Sequence, residues 1–446
     1  MRIIIAGAGS GKTTSMASII AESANNRLPG KYYFCIAFTN NAVEHISSKL
    51  RELYHGEIPK YIKVMTIHSF LYQEVIKPYY YLLYGISYER VSLKPLGNNA
   101  KYHAKEVSDL EKKGALHVSA ITQRAMWVLK GKSTDKKTHK DKREQIIDVF
   151  SNYCDHIFVD EAQDIDDSTK QILEALDAKG IDITAVGDPK QDLHGFGNLR
   201  MLSENKNVNV EYINRCYRCP MKHLRISNTI VNDNEIQNSD IDGGLVRIRF
   251  ETDIPDIGEF IKAEGFDLAY IVKKNNRFDT HAVKQDGLFD GLYHLMLELI
   301  PKYFDDTDLM IHRYSYWAAQ RFINDATKGK ELSKTVRRVF DCKIESKEYA
   351  QIASLINNVQ NNEASVLVSS IESIKGQEGN NCLFILSKDL ASYLFLDKKD
   401  DNKIKAALYV ALTRSRKDLT ILLTTEAEEK YPKSYVKEYL SQLFEK

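Results

Sequence analysis

The chain has 446 residues, enough for two to four domains, and a hydrophobic content of 43%, which is ordinary for a globular protein. Its formal net charge is +1, so any affinity for nucleic acid has to come from local basic surface rather than from the charge of the whole molecule. Six scattered cysteines favour reduced thiols and a cytoplasmic protein, and the lack of any run of about 18 apolar residues argues against a membrane role.

Strand and helix patterns alternate in the first 75 residues. A short β-branched run at residues 2–6 precedes a glycine-rich turn, and residues 13–24 have helical spacing. Further apolar runs at residues 32–38 and 61–65 are each followed by polar residues, and a helix is expected to end near Leu53. This alternation is typical of α/β folds with buried parallel strands.

The alternation stops between residues 76 and 145, where residues 130–137 are basic, polar and interrupted by glycine. This stretch is predicted to be a mostly helical insertion. Strand patterns return at residues 156–159 and 182–186, and acidic residues follow both. We expect these acidic residues at the carboxyl ends of strands, where α/β sheets bind ligands.

A second α/β pattern follows residue 216. Its predicted strands are residues 245–250, 268–273, 364–368, 382–386 and 419–423. The predicted fold is therefore α/β, with two lobes that contain parallel sheets and are each interrupted by a mostly helical insertion. The first lobe is expected in residues 1–75 and 146–215 with its insertion in 76–145, and the second in 216–277 and 363–446 with its insertion in 278–362.

The glycine-rich turn after the first strand matches a phosphate-binding loop. The pattern G-x-x-x-x-G-K-[ST] fits when it is read from Ala6, with alanine at the first glycine position. In such a loop backbone N–H groups converge on phosphate, Lys12 supplies positive charge to it, and the Thr13 hydroxyl ligates Mg²⁺. The predicted nucleotide-binding residues of this phosphate loop are Ala6, Gly7, Ala8, Gly9, Ser10, Gly11, Lys12, Thr13 and Thr14.

An acidic pair follows the strand at residues 156–159. Asp160 is expected to hold Mg²⁺ together with Thr13, and Glu161 is expected to polarise the attacking water. Alone, such a pair is more often a solvated strand end. The phosphate loop upstream favours the catalytic interpretation.

Further short motifs follow in a fixed order. They are residues 37–40 (AFTN), 66–70 (TIHSF), 160–164 (DEAQD), 186–191 (VGDPKQ), 216–220 (CYRCP), 373–378 (SIKGQE) and 408–416 (LYVALTRSR). Together with the phosphate loop they make the chain resemble the superfamily 1A DNA helicases of the UvrD and Rep type. The resemblance spans residues 6 to 416 and implies that the two predicted lobes are RecA-like P-loop lobes.

The resemblance implies roles for residues outside the phosphate loop. Gln191 would sense the γ-phosphate from the first lobe, while Arg218 and Arg414 would reach from the second lobe and neutralise charge in the transition state. Glu378 would contact the ribose. ATP and Mg²⁺ are the implied cofactors. Without the motifs, the commoner interpretation of either arginine would be a surface residue.

The implied substrate is DNA. Phe38 and Phe196 would stack on bases with His194 close by, although a lone phenylalanine beside a strand is usually part of a core. The predicted DNA-binding residues are Phe38, Thr39, Asn40, Thr66, His68, His194 and Phe196. Thr66 and His68 are candidates for contacts to the phosphate backbone. The basic runs 130–143 and 334–343 are either further phosphate contacts or solvated faces.

Three departures from the family pattern leave the function open. No adenine-reading glutamine motif precedes the loop, Glu372 stands where the family has histidine, and the second insertion is short. Compact chains of this kind resemble the helicase-like subunit of bacterial antiphage defence pairs such as Gabija, whose partner is a nuclease. The expected function is a DNA-stimulated ATPase that acts on single strands or DNA ends within such a complex. An autonomous 3′–5′ repair helicase and a sensing subunit that regulates a partner nuclease are the alternatives.

Overall fold

The computed structural model describes residues 1–93, 96, 100–280, 285–304, 308–327, 330–360 and 366–445. Its internal contacts divide the chain into two compact units. Unit 1 comprises Met1–Val246, Asp389–Lys417 and Val436–Lys446, and unit 2 comprises Arg247–Lys388 and Asp418–Tyr435. Within the described residues, no helix combines the length and the apolar character needed to cross a membrane.

The strands follow the apolar runs of the sequence. In chain order they are β1 (Arg2–Ala6), β2 (Tyr32–Ala37), β3 (Ile62–Thr66), β4 (Arg90–Ser92), β5 (Ala115–His117), β6 (Cys154–Val159), β7 (Asp182–Gly187), β8 (Asn209–Ile213), β9 (Leu245–Phe250), β10 (Leu268–Ile271), β11 (Phe278–Asp279), β12 (Val366–Leu367), β13 (Ser369–Ser370), β14 (Gly379–Leu386) and β15 (Ser415–Leu423).

The helices lie between these strands and in the two insertions. In chain order they are α1 (Lys12–Ala24), α2 (Asn40–Leu53), α3 (Ile67–Phe70), α4 (Lys77–Tyr84), α5 (Ala100–Lys112), α6 (Ile121–Leu129), α7 (Lys137–Tyr153), α8 (Asp167–Asp177), α9 (Asn198–Ser203), α10 (Met221–Asn228), α11 (Ile257–Glu264), α12 (Gln285–Tyr303), α13 (Asp308–Thr327), α14 (Leu332–Phe340), α15 (Ser346–Gln360), α16 (Lys388–Leu394), α17 (Lys403–Leu412), α18 (Thr425–Lys430) and α19 (Lys433–Glu445). A π-helical turn, Leu71–Ile76, joins α3 to α4.

The central sheet of unit 1 has the strand order β3-β2-β6-β7-β1-β8. Every neighbouring pair in it is parallel. Its strands are apolar on both faces because apolar clusters cover both sides. In β1, Ile3 and Ile5 belong to one cluster and Ile4 and Ala6 to the other, as the alternation of side chains along a strand requires. All six carboxyl ends therefore lie at one edge of the sheet.

The described residues of the insertion between β3 and β6 are mostly helical, as predicted, and include the two short strands β4 and β5. Two members of the basic run 130–143 are held within it. Arg143 is buried and forms an ion pair with Asp135. The Lys132 ammonium lies 3.9 Å from the ring centroids of both Tyr84 and Trp127. These two cations stabilise the insertion instead of facing solvent.

Unit 2 contains a five-stranded sheet in the order β13-β10-β14-β15-β9, in which β10 pairs in parallel with β13 and β14. The prediction of an α/β fold with parallel sheets and helical insertions is confirmed. The second insertion begins with a strand rather than a helix, because β11 pairs with β12. Helices α12 to α15 then pack around one apolar cluster that includes Phe322 and Phe340. The predicted start of a strand at residue 364 and the predicted domain end at residue 362 lie outside the described residues.

The boundary predicted at residue 216 does not coincide with the boundary between the compact units. Residues 216–246 and 389–417 pack with the phosphate loop in unit 1. The assignment of these segments to a second lobe stays a prediction.

Candidate functional site

The predicted nucleotide-binding residues lie at the carboxyl ends of neighbouring strands in the unit 1 sheet. β1 leads into the phosphate loop, β6 into Asp160 and β7 into Asp188. Because β7 lies between β1 and β6, the three ends are adjacent along one edge. This edge is where parallel α/β sheets bind their ligands.

The phosphate loop turns through two glycines in the left-handed region, Gly9 with φ 67° and Gly11 with φ 75°. A residue with a Cβ adopts this conformation only at a cost. The Lys12 ammonium lies 3.4 Å from each of the carbonyl oxygens of Ala6 and Gly7, so its side chain folds back over the loop. The hydroxyl of Ser10 is buried and has no hydrogen-bond partner among the described residues. The loop thus offers an oriented backbone, a cation and an unused hydroxyl to an anionic ligand.

Gly9 and Gly11 differ in what surrounds them. A Cβ at Gly9 would lie 2.5 Å from the Cβ of Arg218, whereas a Cβ at Gly11 meets no atom of the described residues within 4 Å. Left-handed geometry costs an alanine roughly 1–2 kcal/mol at either position, and overpacking adds roughly 1–3 kcal/mol at Gly9 alone. We expect Gly9→Ala to lower the free energy of unfolding more than Gly11→Ala does, as measured by urea denaturation. Equal losses would contradict the close packing of the loop against Arg218.

Asp160 is the buried acid of the site. Its side chain is 1% exposed, and its amide donates a hydrogen bond to the carbonyl of Ile36 at 2.9 Å. Within the described part of the chain, neither of its carboxylate oxygens has a hydrogen-bond partner. Burial raises the pKa of Asp160, the neighbouring Glu161 raises it further, and Lys12 opposes the change. Buried, unsatisfied carboxylate oxygens at the edge that carries the loop fit a divalent cation, which would compensate their burial.

Glu161 is fixed by Gln163. Glu161 has a φ of 52°, a conformation rare outside glycine and concentrated at functional sites. Its carboxylate accepts a hydrogen bond from the side-chain Nε2 of Gln163 at 2.5 Å. The side-chain Oε1 of Gln163 accepts one from the backbone N–H of Asp188 at 2.9 Å. Gln163 therefore links the segments that follow β6 and β7. The motif contained this residue, but its spacing gave no sign of this bridge.

Gln191, the predicted γ-phosphate sensor, is held by Asp188. The Gln191 amide donates to the Asp188 carboxylate at 2.8 Å, and the Lys190 ammonium forms an ion pair with the same carboxylate at 2.9 Å. Burial alone would raise the pKa of Asp188, but the charges of Lys190 and Lys12 hold it below its usual value. Asp188 is therefore an anion that orients Lys190 and Gln191 beside the loop.

The two predicted arginine fingers lie in the same compact unit as the loop. The backbone N–H of Tyr217 donates to the carbonyl of Gly9 at 2.8 Å, which places Arg218 directly against the loop. The Arg218 guanidinium donates to the carbonyl of Thr413 at 3.4 Å, the residue before Arg414. Arg414 itself is buried, and its Nε donates to the carbonyl of Val410 at 3.0 Å. The structure thus brings the two arginine segments together, while their catalytic roles stay a prediction.

Glu378 lies in unit 2, immediately before β14, and is half-buried. Its predicted contact with a ribose stays a prediction.

Two functional candidates were missed by sequence reasoning. The Tyr409 hydroxyl accepts a hydrogen bond from the Ala8 backbone N–H at 3.1 Å and donates one to Gln237 Oε1 at 2.6 Å. The Gln237 Nε2 donates to the Ala8 carbonyl at 3.0 Å, which closes a ring of contacts around the loop. Tyr409 stands inside a recognised motif and could have been suspected. Gln237 stands outside every motif.

The predicted DNA-binding residues lie toward the same edge of the sheet, at the end of β3 or after β2, β3 and β7. Phe38 is half-buried against an apolar core cluster. Thr39 caps α2 by accepting a hydrogen bond from the Ala42 N–H at 3.2 Å, and Asn40 is exposed. His194 and Phe196 are both exposed, with ring centroids 5.1 Å apart and an angle of 24° between their planes. This pair presents more aromatic surface than Phe38 does.

Thr66 and His68 do not form a positively charged binding site for phosphate. The Thr66 hydroxyl caps α3, since it accepts from the Ser69 N–H at 3.2 Å and lies 2.9 Å from the Ser69 hydroxyl. Burial lowers the pKa of His68, although Asp166 opposes the shift. The imidazole is therefore neutral near pH 7, and His68 can offer a phosphate a hydrogen bond but little charge.

Comparisons with known proteins agree with the motifs. A family model described as an AAA domain matches residues 1–197. The Gabija protein GajB of Bacillus cereus (strain VD045) is 26% identical over 260 residues, which are 53% of this chain and 49% of that protein, so the match spans about half the length of the relative. These findings confirm the resemblance to UvrD-like helicases in a form similar to GajB. The match to the solved complex of Arterivirus nonstructural protein 10 (helicase) with DNA covers 94% of this chain and 59% of that chain, at 11% sequence identity. Its TM-score of 0.37 is too low to support a common fold.

Proposed function

We propose that the chain is an ATP-dependent, DNA-stimulated, helicase-like motor that acts on single-stranded DNA or DNA ends. Its most direct support is the meeting of the phosphate loop, Asp160 and Asp188 at one edge of a parallel sheet, with Arg218 packed against Gly9. Phosphoryl transfer is catalysed almost entirely by positioning and charge, and these groups supply both.

Each of these residues has one task in hydrolysis. The loop N–H groups and Lys12 bind the phosphates, while Thr13 and Asp160 would hold Mg²⁺, whose charge neutralises the phosphate oxygens when it is bound. Glu161 orients the attacking water and accepts its proton, and Gln163 fixes Glu161 in place at 2.5 Å. Arg218 and Arg414 stabilise charge that develops on the transferred group.

The sheet order separates the two proposed binding regions. The nucleotide residues lie at the carboxyl ends of β1, β6 and β7, whereas Phe38 to Asn40 and Thr66 to His68 lie at those of β2 and β3, farther along the same edge. His194 and Phe196 follow Gln191 within a few residues. A base stacked on Phe196 would therefore be close in the chain to the residues that sense phosphate, which favours coupling between DNA and ATP.

The proposed function is tested by ATP turnover with and without single-stranded DNA. We expect DNA to raise turnover, and we expect Lys12→Ala to remain at background because the loop then lacks its cation. Turnover that stays flat when DNA is added, or that persists in Lys12→Ala, would refute the proposal.

Phe196→Ala is expected to weaken binding of single-stranded DNA roughly tenfold, since stacking of a base on an aromatic ring contributes about 1–3 kcal/mol. Turnover without DNA should not change. Fluorescence anisotropy with a labelled oligonucleotide measures the affinity. Tyr32→Ala is a matched control, because Tyr32 is an exposed aromatic at the opposite, amino end of β2. Equal affinities for the wild type and Phe196→Ala would remove Phe196 from the DNA site.

We further propose that this motor works in an antiphage defence complex with a nuclease partner, which the similarity to the Gabija protein GajB supports. Co-purification with the product of a neighbouring nuclease gene tests this partner. Opening of a forked duplex with a 3′ tail by the isolated chain would instead favour an autonomous helicase. A third outcome would favour a sensing subunit: the complex keeps its function when it carries Glu161→Gln, but loses that function when the chain no longer binds DNA.

A further inference from the structure

Gln237 contacts the phosphate loop although no recognised motif contains it. Its side chain is 1% exposed, and its Nε2 donates to the Ala8 carbonyl at 3.0 Å. A Cβ on Gly7 would lie 2.3 Å from the Gln237 carboxamide. The loop is therefore packed against this amide as closely as glycine permits.

The backbone of Gln237 is fixed as firmly as its side chain. Its N–H donates to the Asn228 Oδ1 at 3.0 Å, and the Asn228 Nδ2 donates back to the Gln237 carbonyl at 2.8 Å. The next residue, Asn238, accepts from the Cys216 N–H at 2.8 Å and donates to the Asn214 carbonyl at 2.9 Å. Gln237 is thus anchored on the segment that leads to Arg218.

The orientation of the Gln237 amide follows from the hydrogen bonds of Tyr409. The Ala8 N–H uses a lone pair of the Tyr409 hydroxyl, so the hydroxyl proton points to Gln237, whose oxygen must face it. The amide nitrogen then faces the Ala8 carbonyl. Burial raises the pKa of Tyr409 well above its usual value, so this hydroxyl remains a neutral donor. Both backbone polar groups of Ala8, its N–H and its carbonyl, are therefore satisfied by one pair of residues.

We infer that Gln237 is a positioning residue for the phosphate loop, acting through Ala8 and Tyr409; the inference rests on the proposed nucleotide site. By holding the Ala8 carbonyl directly and the Ala8 N–H through Tyr409, Gln237 sets the direction of the loop that follows, and with it the N–H groups that receive phosphate. Through Tyr409 it also ties the loop to α17, the helix that leads to Arg414. A loop held in its binding conformation loses less entropy when the ligand binds.

The test compares Gln237→Ala, Gln237→Glu and Tyr409→Phe with the wild type. We expect each variant to raise the Kd of fluorescent Mg·ADP and the KM for ATP roughly tenfold, because a buried polar group of the loop loses its partner. Glutamate nearly matches the size of glutamine but cannot donate to the Ala8 carbonyl. A residue that only fills space would tolerate that change, so loss of affinity in Gln237→Glu identifies the hydrogen bond.

Asn232→Ala is the matched control, since Asn232 is an exposed amide on the same loop. The loss of affinity in the double variant Gln237→Ala/Tyr409→Phe should be smaller than the sum of the two single losses, because the Tyr409 hydroxyl and Gln237 are hydrogen-bonded to each other. Wild-type Kd and KM in Gln237→Glu and Tyr409→Phe would overturn the inference, as would additive losses. If Gln237→Ala does not fold, the Kd of Mg·ADP for Tyr409→Phe tests the inference instead, because that change removes a single oxygen atom. If the wild type binds Mg·ADP but DNA does not stimulate its turnover, the proposed function is refuted and the role of Gln237 is not. The Kd of Mg·ADP tests that role without hydrolysis or DNA.

Discussion

Arg218→Ala is expected to lower kcat for ATP hydrolysis by about 10³-fold or more, the usual contribution of an arginine finger. Arg218 is held beside the loop by the contact of Tyr217 with Gly9 and by its own hydrogen bond to Thr413. In the proposed mechanism, its guanidinium stabilises the charge that develops on the transferred phosphoryl group. KM should change much less than kcat, because this charge is greatest in the transition state. Steady-state turnover with saturating single-stranded DNA measures both constants.

Arg215→Ala is the matched control for this experiment. Arg215 belongs to the same segment, but its side chain is exposed and paired with Asp240. Arg218→Lys should recover little of the lost activity, because an ammonium group lacks the planar fork of donors. A kcat within a few-fold of the wild type in Arg218→Ala would remove Arg218 from the catalytic residues.

Glu161→Gln should lower kcat by about 10²–10⁴-fold, the range for loss of a general base. Glutamine is close to glutamate in size, and its carbonyl oxygen can still accept the hydrogen bond from Gln163. The local geometry is therefore expected to survive while the negative charge is lost. Affinity for ATP should remain near that of the wild type, so the variant is expected to accumulate in the ATP-bound form. Single-turnover kinetics and nucleotide titration separate these two effects.

Glu204→Gln removes an exposed carboxylate elsewhere in unit 1 and should leave both constants unchanged. If Glu161→Gln weakens nucleotide binding as much as it slows turnover, Glu161 supports the structure of the site instead of activating water.

The parts of the site that could be predicted are those encoded locally. The phosphate loop needs a strand, two glycines and a helix that are consecutive in the chain, and the structure has β1, Gly9, Gly11 and α1 in that order. Asp160 and Asp188 could be placed because buried parallel strands are apolar on both faces, so the first charged residue after the apolar run marks the carboxyl end. The same rule located the edge of the sheet at which they meet.

The remaining features depend on contacts between distant residues. Gln237 touches Ala8 across 229 positions of the chain, and no local spacing encodes that contact. The basic run 130–143 was ambiguous because only packing shows that Lys132 lies between two aromatic rings. Likewise, His68 was expected to contact phosphate, and its lowered pKa follows from burial that composition alone does not show.

The strand order of the unit 1 sheet has a consequence for synthesis on the ribosome. β1 is the first strand to be synthesised, but in the sheet it lies between β7 and β8, where Arg2 pairs with both Thr184 and Asn209. Its neighbours therefore emerge long after it, and pairing between such distant strands is slow. The loop after β1 cannot acquire its final support from Gln237 and Tyr409 until still later residues have been made. A nascent chain that stalls before these residues would carry the complete loop sequence without the partners that hold it, so nucleotide should begin to protect the growing chain from proteolysis only near the end of translation.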